Sequence, residues 1–328
     1  MRIGFLCPHA RISGGTKVIF TIADMLGQRG YSVSVFLHKY QEKLIPWFRS
    51  DPHFKLYDLT TPDEKYDPVD ILIHYADEKH IGIPEASRHI LFLQGFGSQR
   101  IVTEMDTIAK NYTAVIATSK WLSDIASKLG HTKVFTIPPG IDSAFRVQPV
   151  SKSPVVTIGT LYHPAPEKNI NLFINTISKL VTKKKIRPYC ILFGGSSVEN
   201  VPMFDTLCLP YSIISNPPQA MLPLIYNACH LWISTSINEG FGLPILEAMA
   251  CGVPVIWYPS RGLEEYLIHE KNCMIISNKV QAAETIKTLL NDKKLYSKLS
   301  ENGFDLAKRF TWDDTISKFE GVLKLAIQ

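Results

Sequence analysis

Residues Asn238–Val255, NEGFGLPILEAMACGVPV, decide how the rest of the chain is read. LWISTS (Leu231–Ser236) ahead of this stretch and VPVIWY (Val253–Tyr258) at its end are short apolar runs rich in β-branched residues, the pattern of buried strands. Between them, Leu243–Ala250 consists of good helix formers, with Pro244 at the opening of the helix and Gly252 just past its end. Strand, glycine-containing loop, helix and strand in that order form the repeating unit of a parallel α/β sheet.

Two carboxylates stand at a fixed offset in this unit, Glu239 in the loop and Glu247 about one turn into the helix. Helical side chains lean toward the helix N-terminus, so Glu247 is expected to point to the mouth of the loop where Glu239 lies. That mouth also presents free backbone amides and the positive end of the helix dipole, a natural seat for phosphate. Gly240 and Gly242 keep side chains out of a ligand's way. Without a ligand, the same residues read as an acid that complements the dipole and as turn-forming glycines.

The string EGFGLPILEAMACGVPV, two glutamates with seven residues between them, resembles the signature of retaining family-4 glycosyltransferases, which have the two-domain GT-B fold. The resemblance implies that Glu239 meets the donor sugar and that Glu247 holds the ribose hydroxyls. It places Gly240, Phe241, Gly242 and Leu243 among the donor-binding residues, with the amides beside Gly242 and Leu243 meeting the phosphates. It also implies two Rossmann-like domains facing each other across a cleft, with a C-terminal helix that crosses back to the N-domain.

At 328 residues and 45% hydrophobic, the chain has the material for two domains. The net charge, 35 − 30 = +5, is too modest for nucleic acid to be the main partner. A peripheral contact with an anionic membrane surface is compatible with it and not demanded by it. The six cysteines (Cys7, Cys190, Cys208, Cys229, Cys251, Cys273) show no CxxC pair and no metal-ligand spacing, which suits buried thiols in a reducing compartment. The chain enters a strand at once and contains no run of membrane-spanning length, so the expectation is a cytoplasmic protein, peripheral at a membrane at most.

From the N-terminus, MRIGFLC reads as a strand, followed by a helix to about Arg29 with Val18, Ile19, Ile22, Met25 and Leu26 on its apolar face, and by the strand YSVSVFL (Tyr31–Leu37). Gly14 and Gly15 therefore lie where the first strand hands over to the first helix. They make neither GxGxxG nor a Walker loop. By position they match the glycine-rich loop of the family's N-domain and count as donor-binding. Further strands are expected at Asp70–Tyr75, His89–Gly95, Ala114–Ser119 and Lys133–Gly140, with amphipathic stretches around Ile101–Ala109 and Trp121–Leu129. The family often carries a catalytic-site histidine after the strand HILFLQ. The matching residue here is Gln94, which can hydrogen-bond a sugar hydroxyl but does not titrate near neutral pH.

PPGIDSAF (Pro138–Phe145) resembles the family's marker for the end of the N-domain, which places the domains at 1–147 (acceptor side), 148–310 (nucleotide-sugar binding) and 311–328 (C-terminal helix). In the second domain VVTIGT (Val155–Thr160) reads as a strand and Glu167–Leu180 as a helix with Lys168 at its start. A cation at the positive end of a dipole needs a reason, and a bound pyrophosphate would be one. PEKN matches the family's phosphate-binding Lys-Asn, which makes Lys168 catalytic and Asn169 donor-binding by resemblance. Many relatives carry an arginine where this chain has Thr160, and His163 and Arg261 are the candidates to replace that charge. GLEEYL is expected as a helix, Lys279–Phe310 as two helices, and Trp312–Ile327 as an amphipathic helix with Ile316, Phe319, Leu323 and Ala326 near one face. No Asp-x-Asp occurs. The expectation is accordingly a metal-independent hexosyltransferase that needs no cofactor. Its donor substrate would be a UDP- or GDP-sugar, and its acceptor a glycan, lipid or small molecule. The alternatives are a non-catalytic nucleotide-sugar-binding protein and a sugar-nucleotide epimerase on the GT-B scaffold.

Overall fold

In the computed structural model the β-branched runs become the strands of two parallel sheets. The structure describes residues 1–10, 13–38, 48, 51–61, 65–75, 83–95, 112–149, 152–195 and 200–328. Residues Met1–Gly140 with Trp312–Gln328 form one compact unit, and Ile141–Thr311 form the other.

The first unit contains β1 (Arg2–Cys7), α1 (Gly14–Gln28), β2 (Ser32–Leu37), β3 (Lys55–Asp58), β4 (Val69–Tyr75), β5 (Ala86–Leu93), β6 (Ala114–Ala117), α2 (Lys120–Lys128) and β7 (Val134–Thr136). Its seven strands run in the order β3-β2-β1-β4-β5-β6-β7. The order reverses direction at the β1–β4 boundary, and the carboxyl end of such a switch point is where open α/β sheets bind ligands. Val18, Ile19, Ile22 and Leu26 are buried under the sheet, as their helical spacing requires; β3 was not foreseen. The stretch Ile101–Ala109 lies outside the described residues.

The second unit contains β8 (Thr157–Leu161), α3 (Ile170–Lys184), β9 (Tyr189–Gly194), α4 (Pro202–Thr206), β10 (Tyr211–Ser215), α5 (Leu222–Ala228), β11 (Leu231–Ser234), α6 (Leu243–Ala250), β12 (Val255–Trp257), β13 (Met274–Ile275), α7 (Lys279–Asn291) and α8 (Lys293–Ala307). Its strand order is β10-β9-β8-β11-β12-β13, with the switch between β8 and β11. Residues 262–267 form hydrogen-bonded turns in place of the helix expected from GLEEYL, with the Tyr266 and Leu267 amides both donating to the Leu263 carbonyl.

The chain leaves the first unit at Gly140, ahead of the boundary expected at Val147. The reason is local: the Ile141 amide donates to the Phe310 carbonyl, and Phe145 is buried in the second unit's core. The last helix, α9 (Trp312–Ile327), belongs to the first unit. Ile316, Phe319, Leu323 and Ala326 are all buried there, and the Phe319 ring lies 6.2 Å from Phe5 and 5.6 Å from Phe92. Each of the three larger side chains, Ile316, Phe319 and Leu323, contributes about 1.5–3 kcal/mol, so one apolar stripe suffices to hold the helix. Among the described residues no helix is long and apolar enough to cross a membrane.

Candidate active site

The loop after β11 is tied to the short turn that precedes α3. Thr235 Oγ1 donates to the Lys168 carbonyl at 3.0 Å, and the Ile237 amide donates to the Glu167 carbonyl at 2.8 Å. These two bonds place Lys168 against Glu239, with Nζ 2.8 Å from Oε1. Both side chains are mostly buried, at 22% and 15% exposure. A charge-assisted hydrogen bond of this kind is worth about 1.5–3 kcal/mol. Lys168 lies in a 3₁₀ turn (Pro166–Lys168) and not in the helix itself, because Asn169 adopts a left-handed conformation (φ 48°) and separates the two. The charge expected to sit in the first turn of a helix is therefore outside it, and a carboxylate meets it. Thr160, Ser234, Thr235, Glu239, Gly242 and Pro244 line a small cavity at this point.

The amino end of α6 closes the same cavity. Gly242 is its N-cap with φ +108°, a conformation that side chains rarely adopt, and a Cβ there would come within 2.9 Å of Leu263 Cδ1. The first turn carries no acidic side chain, so its amides keep their positive field. Phe241 is buried, its ring 5.4 Å from Phe310, which leaves its backbone as the part able to meet a ligand. Gly240 and Leu243, on either side of the Phe241–Gly242 pair, are partly buried.

Glu247 is 7% exposed, and its Oε2 accepts from the Tyr226 hydroxyl at 2.9 Å. Burial, reinforced by the neighbouring Glu247 charge, raises the Tyr226 phenol well above 10. It therefore remains a donor at neutral pH. Tyr226 escaped the sequence reading because LPLIYNA looks like an ordinary apolar helix. Its distance in sequence from Glu247 gives no signal of the pairing.

Thr160 is 1% exposed, and its hydroxyl donates to the Ile233 carbonyl at 2.8 Å, so it ties β8 to β11 and supplies no charge. His163 Nδ1 accepts the Ala165 amide at 3.1 Å. Arg261 is exposed.

In the first unit Gly14 and Gly15 open α1, beside Ser13, whose Oγ accepts the Thr16 amide. A Cβ on Gly15 would lie 3.3 Å from the Tyr75 ring and 3.4 Å from Gln94 Oε1, whereas one on Gly14 would meet nothing within 4 Å among the described residues. Gly15, Tyr75 and Gln94 thus converge where β1, β4 and β5 end. Gln94 Nε2 is buried and has no hydrogen-bond partner among the described residues. The nearby Cys7 thiol is pushed up to about 12 by burial, which makes it a poor nucleophile. Among the described residues no three His, Cys, Asp or Glu side chains converge so as to hold a metal ion.

This geometry coincides with a sequence similarity. Residues 146–305 match the family of glycosyl transferases group 1. The matched segment contains Lys168, Glu239, Glu247 and the whole of α6. Over 176 residues the chain is 29% identical to the O-antigen chain mannosyltransferase B of Escherichia coli, covering 51% of this chain and 45% of that protein. It thus spans less than half the length of that relative. Among solved structures it resembles the sucrose-phosphate synthase of Thermosynechococcus elongatus, with TM-score 0.79 at 15% identity over 99% of this chain and 98% of that one. It also resembles Anabaena Alr3699/HepE in complex with UDP and glucose, with TM-score 0.77 at 17% identity over 99% of both chains. At such identities the likeness establishes the fold, two parallel-sheet α/β domains of the GT-B type.

Proposed function

We propose that this protein is a retaining hexosyltransferase that moves a sugar from a UDP- or GDP-sugar to a saccharide, lipid or small-molecule acceptor. The observation that carries the reading is the Lys168–Glu239 pair at the mouth of α6 within the segment that matches group 1. In support, Alr3699/HepE has been solved with UDP and glucose, and the Escherichia coli relative is named a mannosyltransferase.

The bond between the anomeric carbon and the β-phosphate oxygen breaks, and its electron pair stays on the departing diphosphate. Lys168 and the amides at Gly242 and Leu243 stabilise that charge. The anomeric carbon acquires oxocarbenium character. Glu239 binds the donor-sugar hydroxyls and offsets the developing positive charge. The acceptor oxygen bonds to the anomeric carbon on the face the diphosphate leaves, and its proton passes to the departing phosphate oxygen. Glu247 holds the ribose and Asn169 shapes the phosphate loop; Gln94, Gly14 and Gly15 are the first domain's own candidates for meeting sugar or phosphate.

Replacing Glu239 by Ala should lower transfer by roughly 10²–10³-fold or more, while the protein remains folded, because Glu239 lies in a loop outside the core clusters. Turnover near the wild-type level would end the assignment. A second reading, a sugar-nucleotide-binding protein without transfer, draws on Thr160, whose hydroxyl is committed to the sheet and adds no positive charge. Thermal stabilisation by UDP- or GDP-sugars without transfer to any acceptor would favour it.

A further inference from the structure

We infer that Tyr226 is a positioning residue: through Glu247 it sets the preference of this site for ribonucleotides over deoxyribonucleotides. The inference rests on the reading above, in which Glu247 meets the donor's ribose.

Helix α6, LPILEAMA, is otherwise apolar, and Ile245, Leu246, Ala248 and Met249 are each no more than 1% exposed. A carboxylate in such a helix costs desolvation that an alanine or leucine would not. Hydrogen bonding within the protein, including that from Tyr226, only partly offsets that cost. Position 247 is thus a poor choice for stability alone and a sensible one for a site that must grip a polar ligand.

The tyrosine is built as a rigid mount. Its residue is 0% exposed, and its ring is held by Phe145, Phe193 and Trp232 at centroid distances of 5.8, 5.6 and 4.8 Å. The next residue, Asn227, donates to the Arg146 and Pro223 carbonyls and accepts the Gln148 amide, which anchors α5. A ring fixed in this way leaves its hydroxyl one place to be. By donating to Oε2 that hydroxyl fixes the rotation of the Glu247 carboxylate, and so the direction in which the carboxylate can accept from a vicinal diol.

The test compares the binding of UDP and GDP with that of their 2′,3′-dideoxy counterparts, in wild type and Tyr226→Phe. The wild type should prefer the ribonucleotide. Tyr226→Phe should lose roughly tenfold in ribonucleotide affinity, the size of one hydrogen bond, with dideoxy affinity unchanged. In turnover the donor KM should rise while kcat is held, because a ribose contact is equally strong in ground and transition states. An unchanged ribose preference in the variant, or an equal loss for both nucleotides, would overturn the inference and make Tyr226 a core residue only. If wild type binds the diphosphates without ribose preference, the role of Glu247 fails and takes this inference with it. If wild type binds neither diphosphate, the proposed function itself fails. Should Tyr226→Phe not fold, Tyr226→Phe/Glu247→Gln removes the buried charge and serves instead. Its ribose preference should equal that of Glu247→Gln alone, and any further loss would overturn the inference.

Discussion

The edges of the two domains that carry the proposed binding residues are built differently. In the second domain Lys168 is held by Glu239, Glu247 by Tyr226, and Thr160 by the Ile233 carbonyl. In the first, among the described residues, a Cβ on Gly14 would meet nothing within 4 Å and the Gln94 amide nitrogen has no partner. A polar group already paired within the protein is aimed in advance, but it must exchange that partner for a ligand. An unpaired one has nothing to exchange, and any acceptor that reaches it is a gain. Substitutions in the second domain should therefore disturb chemistry and stability together, and those in the first should touch chemistry alone.

The largest effect that would sharpen this contrast is at Lys168. Lys168→Ala removes the cation proposed to meet the leaving diphosphate and orphans Glu239. Turnover should fall about 10²–10³-fold, and stability by about 1–3 kcal/mol, seen as a lower melting temperature. A variant that melts early yet turns over normally would reduce the pair to a structural tie.

Gly242→Ala should have a smaller effect, weighted toward stability. A side chain at φ +108° is strained by about 1–3 kcal/mol, and its Cβ would press on Leu263 Cδ1 at 2.9 Å, a contact the leucine can partly relieve. Melting should come earlier, and nucleoside diphosphate affinity should drop as the amides at the α6 mouth shift. An unchanged melting curve would mean that the loop tolerates the side chain and is less fixed than the paired residues suggest.

How far the sequence reveals these features follows from how local they are. The strands were legible because parallel sheets bury continuous β-branched runs, and α6 because Pro244 and Gly252 punctuate it. Strand β3 (KLYD) was not, since it is a four-residue edge strand of polar and half-buried residues. The left-handed Asn169 was equally hidden, because PEKNINLF carries no glycine to mark it. GLEEYL failed as a helix because Gly262 is held at φ +108° against the Phe241 carbonyl, a tertiary constraint that propensity does not report. In the site, the glutamates and glycines could be found from their spacing. The partners of the glutamates could not: Lys168 lies 71 residues from Glu239, and Tyr226 lies 21 from Glu247.

The smallest expected effect, and the one most able to break the comparison, is at Gln94. Gln94→Ala removes an amide whose nitrogen makes no hydrogen bond among the described residues, so no such bond is lost there on truncation. Stability should stay within about 0.5 kcal/mol of wild type. Turnover should fall by no more than about tenfold, the value of one hydrogen bond to a sugar hydroxyl. An amide does not titrate, so the ratio of wild-type to variant rates should be constant across pH 5–8, the window in which a histidine would titrate. Gln94→His should then introduce a pH-dependent ratio near 6.5. If the Ala variant instead melts well below wild type, Gln94 is a structural residue after all, and the first domain's edge is held as firmly as the second's.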